Sequence, residues 1–256
     1  MASLDPASAA KPTFRATVAN LASAQKPGRG APPYSRWINR RLGRYLAAAA
    51  YLIGLTPNQV TIISACFTYA ALVLVIVIAP SWWLGVLVAL LLVSGYALDS
   101  ADGQLARLRG GGSKSGEWLD HVVDAAKIGV MHSAVLISFY RFSGERSLVL
   151  VVPLVFMVAS FVFFFGMILT DQLRRSAAAA AGATYSKPTG SGGGFQTLVA
   201  APTDYGLVCL SFVLLGAHVV FVVVYSLFAL AQLLITAGVL VRWWLELRRL
   251  DAAAKL

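Results

Sequence analysis

Apolar residues fall along this chain in long blocks with short polar breaks between them. From residue 58 onward the blocks cover 58–78, 82–107, 117–140, 148–173, 205–216 and 219–241. About 20 apolar residues in a helix, at 1.5 Å per residue, match the ~30 Å hydrocarbon layer of a bilayer. Five blocks have that length. The block at 205–216 is short for a full crossing, so its start is expected to extend upstream. The pattern predicts an all-α, polytopic membrane protein with six transmembrane helices.

Residues 34–53 have a different period. Ile38, Leu42, Tyr45, Leu46, Ala49 and Ile53 share one helical face, while Arg36, Arg40 and Arg44 form a stripe on another. This predicts an amphipathic helix lying in the membrane interface with its arginines toward headgroups. Residues 1–33 are rich in Ala, Ser, Pro and Lys without an apolar period, and are expected to be a disordered cytosolic tail. Residues 54–250 then form the membrane domain.

The breaks have their own chemistry. Gly54-Leu55-Thr56-Pro57-Asn58 ends the interfacial helix and starts the next, with Thr or Asn as cap and Pro in the first turn. Ala79-Pro80-Ser81 is a tight turn, and Trp82, Trp83, Trp243 and Trp244 mark interfaces. Residues 176–202, rich in Ala, Gly and Ser, are expected to be a flexible loop on the side of the 108–115 loop.

Of the 256 residues 58% are hydrophobic and 12% charged, and the net charge is +10. The basic residues sit at block ends and in loops, which speaks for membrane topology and anionic lipid contact and against nucleic-acid binding. Tail, 108–115 loop, 176–202 loop and C-terminus carry nearly all of them; the Arg141–Ser147 loop has two and the Ala79–Ser81 turn none. With six spans this predicts both termini and the 99–124 segment on the cytoplasmic side, in a cell (plasma) membrane. Cys66 and Cys209 lie in apolar blocks, and no disulfide is expected. No cleaved signal is expected, because no suitable apolar core precedes Leu46.

Five of the eleven acidic residues crowd into one stretch: Asp99, Asp102, Glu117, Asp120 and Asp124. Carboxylates at the edge of apolar helices are costly unless something holds them there. Asp99 and Asp102 share a face at the end of one helix, and Asp120 and Asp124 share a face at the start of the next. Antiparallel helices would bring all four together. Oxygen-only ligands suit a hard cation, Mg²⁺ or Mn²⁺, with room for two. Gly103 and Gly116, each four residues from an aspartate, would let a ligand approach the backbone, and Arg107 can grip phosphate oxygens. Together these make a phosphoryl-transfer centre. Lys127, three residues after Asp124, could pair with it or meet substrate phosphate.

The run Asp99, Asp102, Gly103, Ala106, Arg107, Gly116, Asp120, Asp124 fits D-x2-D-G-x2-A-R-x8-G-x3-D-x3-D without mismatch. It resembles the signature of the CDP-alcohol phosphotransferases. That resemblance implies that Asp99 and Asp120 bridge two metals, that Asp102 completes one and Asp124 the other, and that Asp124 is also general base. It implies that Gly103 and Ala106 let the nucleotide lie close, that Gly116 faces substrate, and that Arg107 holds phosphate. Homodimers are common in the family. LTPNQVT resembles the donor-contacting opening of the first span, making Pro57, Asn58, Gln59 and Val60 candidate contacts; helix capping explains Thr56 and Asn58 equally well. RGGGS resembles the loop of phosphatidylinositol-phosphate synthases, with Ser113 at a CDP-lipid position; a flexible linker is the competing reading.

The expected reaction is metal-dependent transfer from a CDP-alcohol, favoured as CDP-diacylglycerol, to an acceptor hydroxyl with release of CMP. Inositol phosphate or a similar alcohol is the favoured acceptor. LDHVVD instead resembles choline/ethanolamine phosphotransferases, which join a small CDP-alcohol to a lipid acceptor. A cation or proton-coupled transporter is the rival from another class, but the aspartates cluster at one end of the spans rather than at mid-span.

Overall fold

A computed structural model describes residues 13–23, 32–142, 144, 148–183, 185 and 201–253, with the side chains of 202 and 253 excepted. Among these the regular elements are helical. Helix α1 covers Phe14–Ser23; a π-helical turn, Ser35–Asn39, leads into α2, Arg40–Leu52. Then come α3, Pro57–Val77, α4, Trp82–Leu108, and α5, Lys114–Phe142. A short turn precedes α6, Val151–Ala180. Helix α7, Tyr205–Ser211, continues as a 3₁₀ turn to Gly216, and α8 runs over His218–Ala253.

Helices α3, α4, α5, α6 with its preceding turn, and α8 are long and apolar enough to cross a membrane. The chain is an integral membrane protein. The segment Tyr205–Gly216 is apolar but shorter than these. Its seven-residue helix and five-residue 3₁₀ turn reach only about 20 Å. The upstream extension expected for it is not seen over 201–204, where Ala201–Thr203 form a separate 3₁₀ turn and Asp204, in extended backbone, caps α7; residues 186–200 lie outside the described set.

Local chemistry sets the helix starts. Thr56 caps α3 through a capping box: its side chain accepts from the Gln59 amide at 3.3 Å, and Gln59 Oε1 accepts from the Thr56 amide at 2.8 Å. Ser81 caps α4, accepting from Leu84 N at 3.2 Å. Helices α3 and α4 pack closely at Gly95, where a Cβ would come within 2.6 Å of Thr68 Oγ1; Ser64 Oγ donates to the Gly95 carbonyl at 2.8 Å. Small residues at such contacts are how membrane helices gain van der Waals packing. Asp204, at the start of α7, accepts from the amides of Gly206 and Ser35, both at 3.1 Å, and so ties α7 to the turn before α2. Burial pushes its carboxyl above the ordinary range, and the two amides oppose that shift. Arg174 grips Glu246 with two hydrogen bonds of 2.8 and 2.7 Å, joining α6 to α8.

Two apolar clusters hold the bundle. The larger joins Leu72, Val88, Leu92, Val135, Phe212, Phe221 and Tyr225; the smaller joins Leu21, Ala47, Ala48, Val60, Ala101 and Leu105. Leu21 belongs to α1, which corrects the expectation of disorder over 1–33. Phe14–Ser23 is a helix with Thr17 and Leu21 buried, and residues 1–12 and 24–31 lie outside the described set. In α2 the faces divide by size. Asn39, Gly43, Ala47 and Ala50 are buried, whereas Ile38, Leu42, Tyr45 and Ile53 are exposed. Small side chains allow close packing on α4, which leaves the bulky apolar face outward. The 176–202 loop begins later than expected, because α6 continues through the alanines to Ala180, as their helix propensity favours.

Candidate active site

Helices α4 and α5 bring carboxylates together across the 109–113 loop. Ligand oxygens of Asp99, Asp120 and Asp124 lie within 4.8 Å of one another, and all three residues are half-buried. Asp102 stands apart from this trio. It is 6% exposed, its Oδ2 accepts from Thr61 Oγ1 at 2.5 Å, and its Oδ1 accepts from the Gly103 amide. The i, i+3 spacing puts Asp102 on the face of Asp99 but turns it toward α3, where a hydroxyl is ready to take it.

Lys127, buried on α5, points into the trio. Its ammonium pairs with Asp99 and with Asp124, the latter at 3.2 Å, and donates to Ser64 Oγ at 3.2 Å. An ammonium has three protons to give, and three partners receive them. Of the two roles open to Lys127, the structure places it in carboxylate pairing.

The carboxylates stand between two cavities. One, about 650 Å³, lies toward the 109–113 loop and is lined by Asp102 and Asp120, with Pro57, Asn58, Gly103, Ala106, Arg107, Ser113 and Gly116. The other, about 330 Å³, lies inside the bundle and is lined by Asp99, Asp124 and Lys127, with side chains from α3 to α8. Met167 on α6 borders both.

Most of the expected substrate positions thus gather in the outer cavity, with two exceptions. Gln59 is engaged in the capping box of α3, and Val60, 1% exposed, sits in the smaller core. Their neighbours Pro57 and Asn58 do face the cavity. The glycines differ. A Cβ on Gly103 would meet only Arg107 Nη1, at 3.6 Å, so its backbone is open to the cavity. On Gly116 it would sit 3.1 Å from both Asn58 Oδ1 and Ser113 Oγ, so this glycine makes room for protein neighbours. Ser113 accepts from the Gly116 amide at 3.0 Å, and Arg109 is spent on the Leu55 carbonyl at 2.7 Å.

Four side chains were not foreseen. Thr61 and Ser64 on α3 hold Asp102 and Lys127. Thr61 lies four residues after Pro57, on the same helical face, and that was the available signal. Asp171 and Arg175 line the outer cavity from α6; Arg175 binds Asp171 at 2.9 Å and reaches Glu117 on α5 at 3.1 Å. An i, i+4 acid and base at the end of an apolar block are the trace they leave in the sequence.

Residues 54–244 match the family profile of CDP-alcohol phosphatidyltransferases. The phosphatidylinositol phosphate synthase of Corynebacterium glutamicum is 36% identical over 106 residues, 41% of this chain and 46% of that protein, so the match spans about half the relative's length. The phosphatidylinositol phosphate synthase of Mycobacterium tuberculosis with CDP-DAG bound superposes with a TM-score of 0.50 at 22% identity, covering 81% of this chain and 94% of that one. The same enzyme with manganese and citrate gives 0.48 at 22% identity, covering 78% and 87%. At these identities the likeness to the solved structures is one of fold. The profile match extends over most of the membrane domain and contains every carboxylate of the site: the chain belongs to the CDP-alcohol phosphatidyltransferase family.

Proposed function

We propose that this protein transfers a phosphatidyl group from CDP-diacylglycerol to an acceptor hydroxyl and releases CMP. The observation that carries this reading is the position of the carboxylates between two cavities, Asp102 and Asp120 facing the outer one and Asp99 and Asp124 the inner one. Donor and acceptor can therefore approach the same cluster from opposite sides, as in-line displacement at phosphorus requires. The lipid bound in the M. tuberculosis relative supports the choice of donor.

In this scheme the donor diphosphate lies in the outer cavity. The open backbone at Gly103 and the small side chain of Ala106 admit the nucleotide, Arg107 holds phosphate oxygens, and Pro57, Asn58 and Ser113 line its path. The acceptor oxygen enters from the inner cavity and attacks the phosphorus remote from cytidine. The bond from that phosphorus to the bridging oxygen breaks, and CMP carries the electron pair away. Asp124 takes the acceptor's proton. Lys127 keeps Asp99 and Asp124 close together by balancing their charge.

The three clustered carboxylates, all oxygen donors, fit a hard divalent cation. Asp99, Asp120 and Asp124 would hold Mg²⁺ or Mn²⁺, two ions per site with Asp102 completing the set. Bound there, such ions neutralise the diphosphate and the leaving CMP. The basic-residue asymmetry supports placing this site and both termini on the cytoplasmic side of the cell membrane, and family habit supports a homodimer. CMP release from CDP-diacylglycerol by purified protein, with and without Mg²⁺ or Mn²⁺, tests the proposal. Asp120→Asn should abolish release; release that persists in this variant contradicts it.

A further inference from the structure

We infer that the inner cavity receives an uncharged polyol as acceptor, in preference to one that carries a phosphate. This rests on the phosphatidyl-transfer reading above and departs from the loop motifs, which point to inositol phosphate. The cavity's size, about 330 Å³, is at the low end of the roughly 300–1,000 Å³ usual for ligand pockets and suits a small alcohol. Its wall is largely apolar, with aromatic faces from Phe156, Phe163 and Phe164, and carries a few uncharged polar groups, among them Ser160, His132 and Gln232.

These polar groups are held in place. His132 shares a 2.5 Å hydrogen bond with the Tyr225 hydroxyl, and its ring lies 4.3 Å from that of Phe156. Gln232 donates to Thr236 Oγ1 at 3.2 Å, which fixes its amide. Oriented neutral hydrogen-bonding groups beside aromatic faces match the alternating hydroxyl and C–H surface of a polyol.

The charge on the wall argues the same way. Among the described lining residues Lys127 is the one cation, and its three protons go to Asp99, Asp124 and Ser64. A phosphomonoester would bring about two negative charges, and among the described lining residues there is no guanidinium fork to receive them. A neutral polyol brings only hydroxyls, one of which can approach Asp124.

The test is CMP release by the full chain in vesicles containing CDP-diacylglycerol and Mn²⁺, with matched acceptor pairs: inositol against inositol phosphate, and glycerol against glycerol 3-phosphate. The neutral member of at least one pair should have a kcat/KM at least about tenfold higher than its phosphorylated partner. Equal use, or preference for the phosphorylated members, overturns the acceptor assignment and leaves the transfer reading standing. Release with neither pair, but with diacylglycerol and a small CDP-alcohol, overturns both this inference and the choice of donor. No release under any of these conditions overturns the transfer reading itself. Gln232→Arg and Ser160→Lys each place a cation on the wall. Whichever variant melts like the parent should shift the ratio toward the phosphorylated acceptor, and an unchanged ratio puts the acceptor elsewhere.

Discussion

Lys127 on α5 pairs with Asp99 on α4, and the same ammonium reaches Asp124 at 3.2 Å. A cation from one helix thus holds the carboxylates of two. Removing one partner of a buried ion pair leaves the others uncompensated, at a cost of about 3–5 kcal/mol. Lys127→Met should lower the melting temperature markedly in chelator, and added Mn²⁺ should recover much of the loss by supplying positive charge to the same oxygens. An unchanged melting temperature in chelator would mean that the pairing contributes nothing.

The bond from Thr61 to Asp102 spans α3 and α4 inside the protein. Hydrogen bonds to charged groups contribute about 1.5–3 kcal/mol. Thr61→Val should lose roughly tenfold or more in CMP release through misplacement of Asp102, and Thr61→Ser should retain most of it. If the valine variant matches the parent in rate, α3 does not position the site through this residue.

How far the sequence revealed this arrangement depends on the range of each interaction. The apolar blocks disclosed the long helices, and the aspartate spacing disclosed the cluster, because both are local in the chain. Spacing gives the helical face that Asp102 shares with Asp99 but not its neighbour across that face; Thr61 is 41 residues away. In the sequence Pro57, Asn58, Gln59 and Val60 read as one contacting stretch, yet consecutive helical residues point in different directions, and of these four only Pro57 and Asn58 face the cavity. Helix α1 leaves little trace in the sequence because its ten residues carry few large apolar side chains, and Leu21 buries against α2 and α4 only in the folded chain.

Gly103 and Gly116 should separate in their response to a methyl group. Gly103→Ala adds a Cβ into open cavity beside Arg107, so the melting temperature should hold while the KM for CDP-diacylglycerol rises. Gly116→Ala crowds Asn58 and Ser113 at 3.1 Å, so the melting temperature should fall as well. Equal melting temperatures for the two variants would contradict the different surroundings of these glycines.

Topology gives a prediction independent of chemistry. In a background lacking Cys66 and Cys209, Ser143→Cys should react with an impermeant thiol reagent in intact cells, and Ser113→Cys should react only after permeabilisation. Ser143 lies outside the described residues, but its loop carries few of the basic residues that mark the cytoplasmic side. The reverse labelling pattern would put the cluster on the wrong face for a cytosolic nucleotide donor.

The division of labour among the carboxylates is tested most directly at Asp124. It lines the inner cavity, the proposed entry of the acceptor, while Asp102 and Asp120 line the outer one. A positioned general base contributes about 10²–10⁴-fold. The measurement is donor affinity by calorimetry beside CMP release rate, on one preparation of Asp124→Asn with saturating Mn²⁺. The account predicts that CDP-diacylglycerol binds with affinity near the parent's while turnover falls at least about a hundredfold. Turnover close to the parent's, or donor affinity that collapses in parallel with the rate, would contradict it.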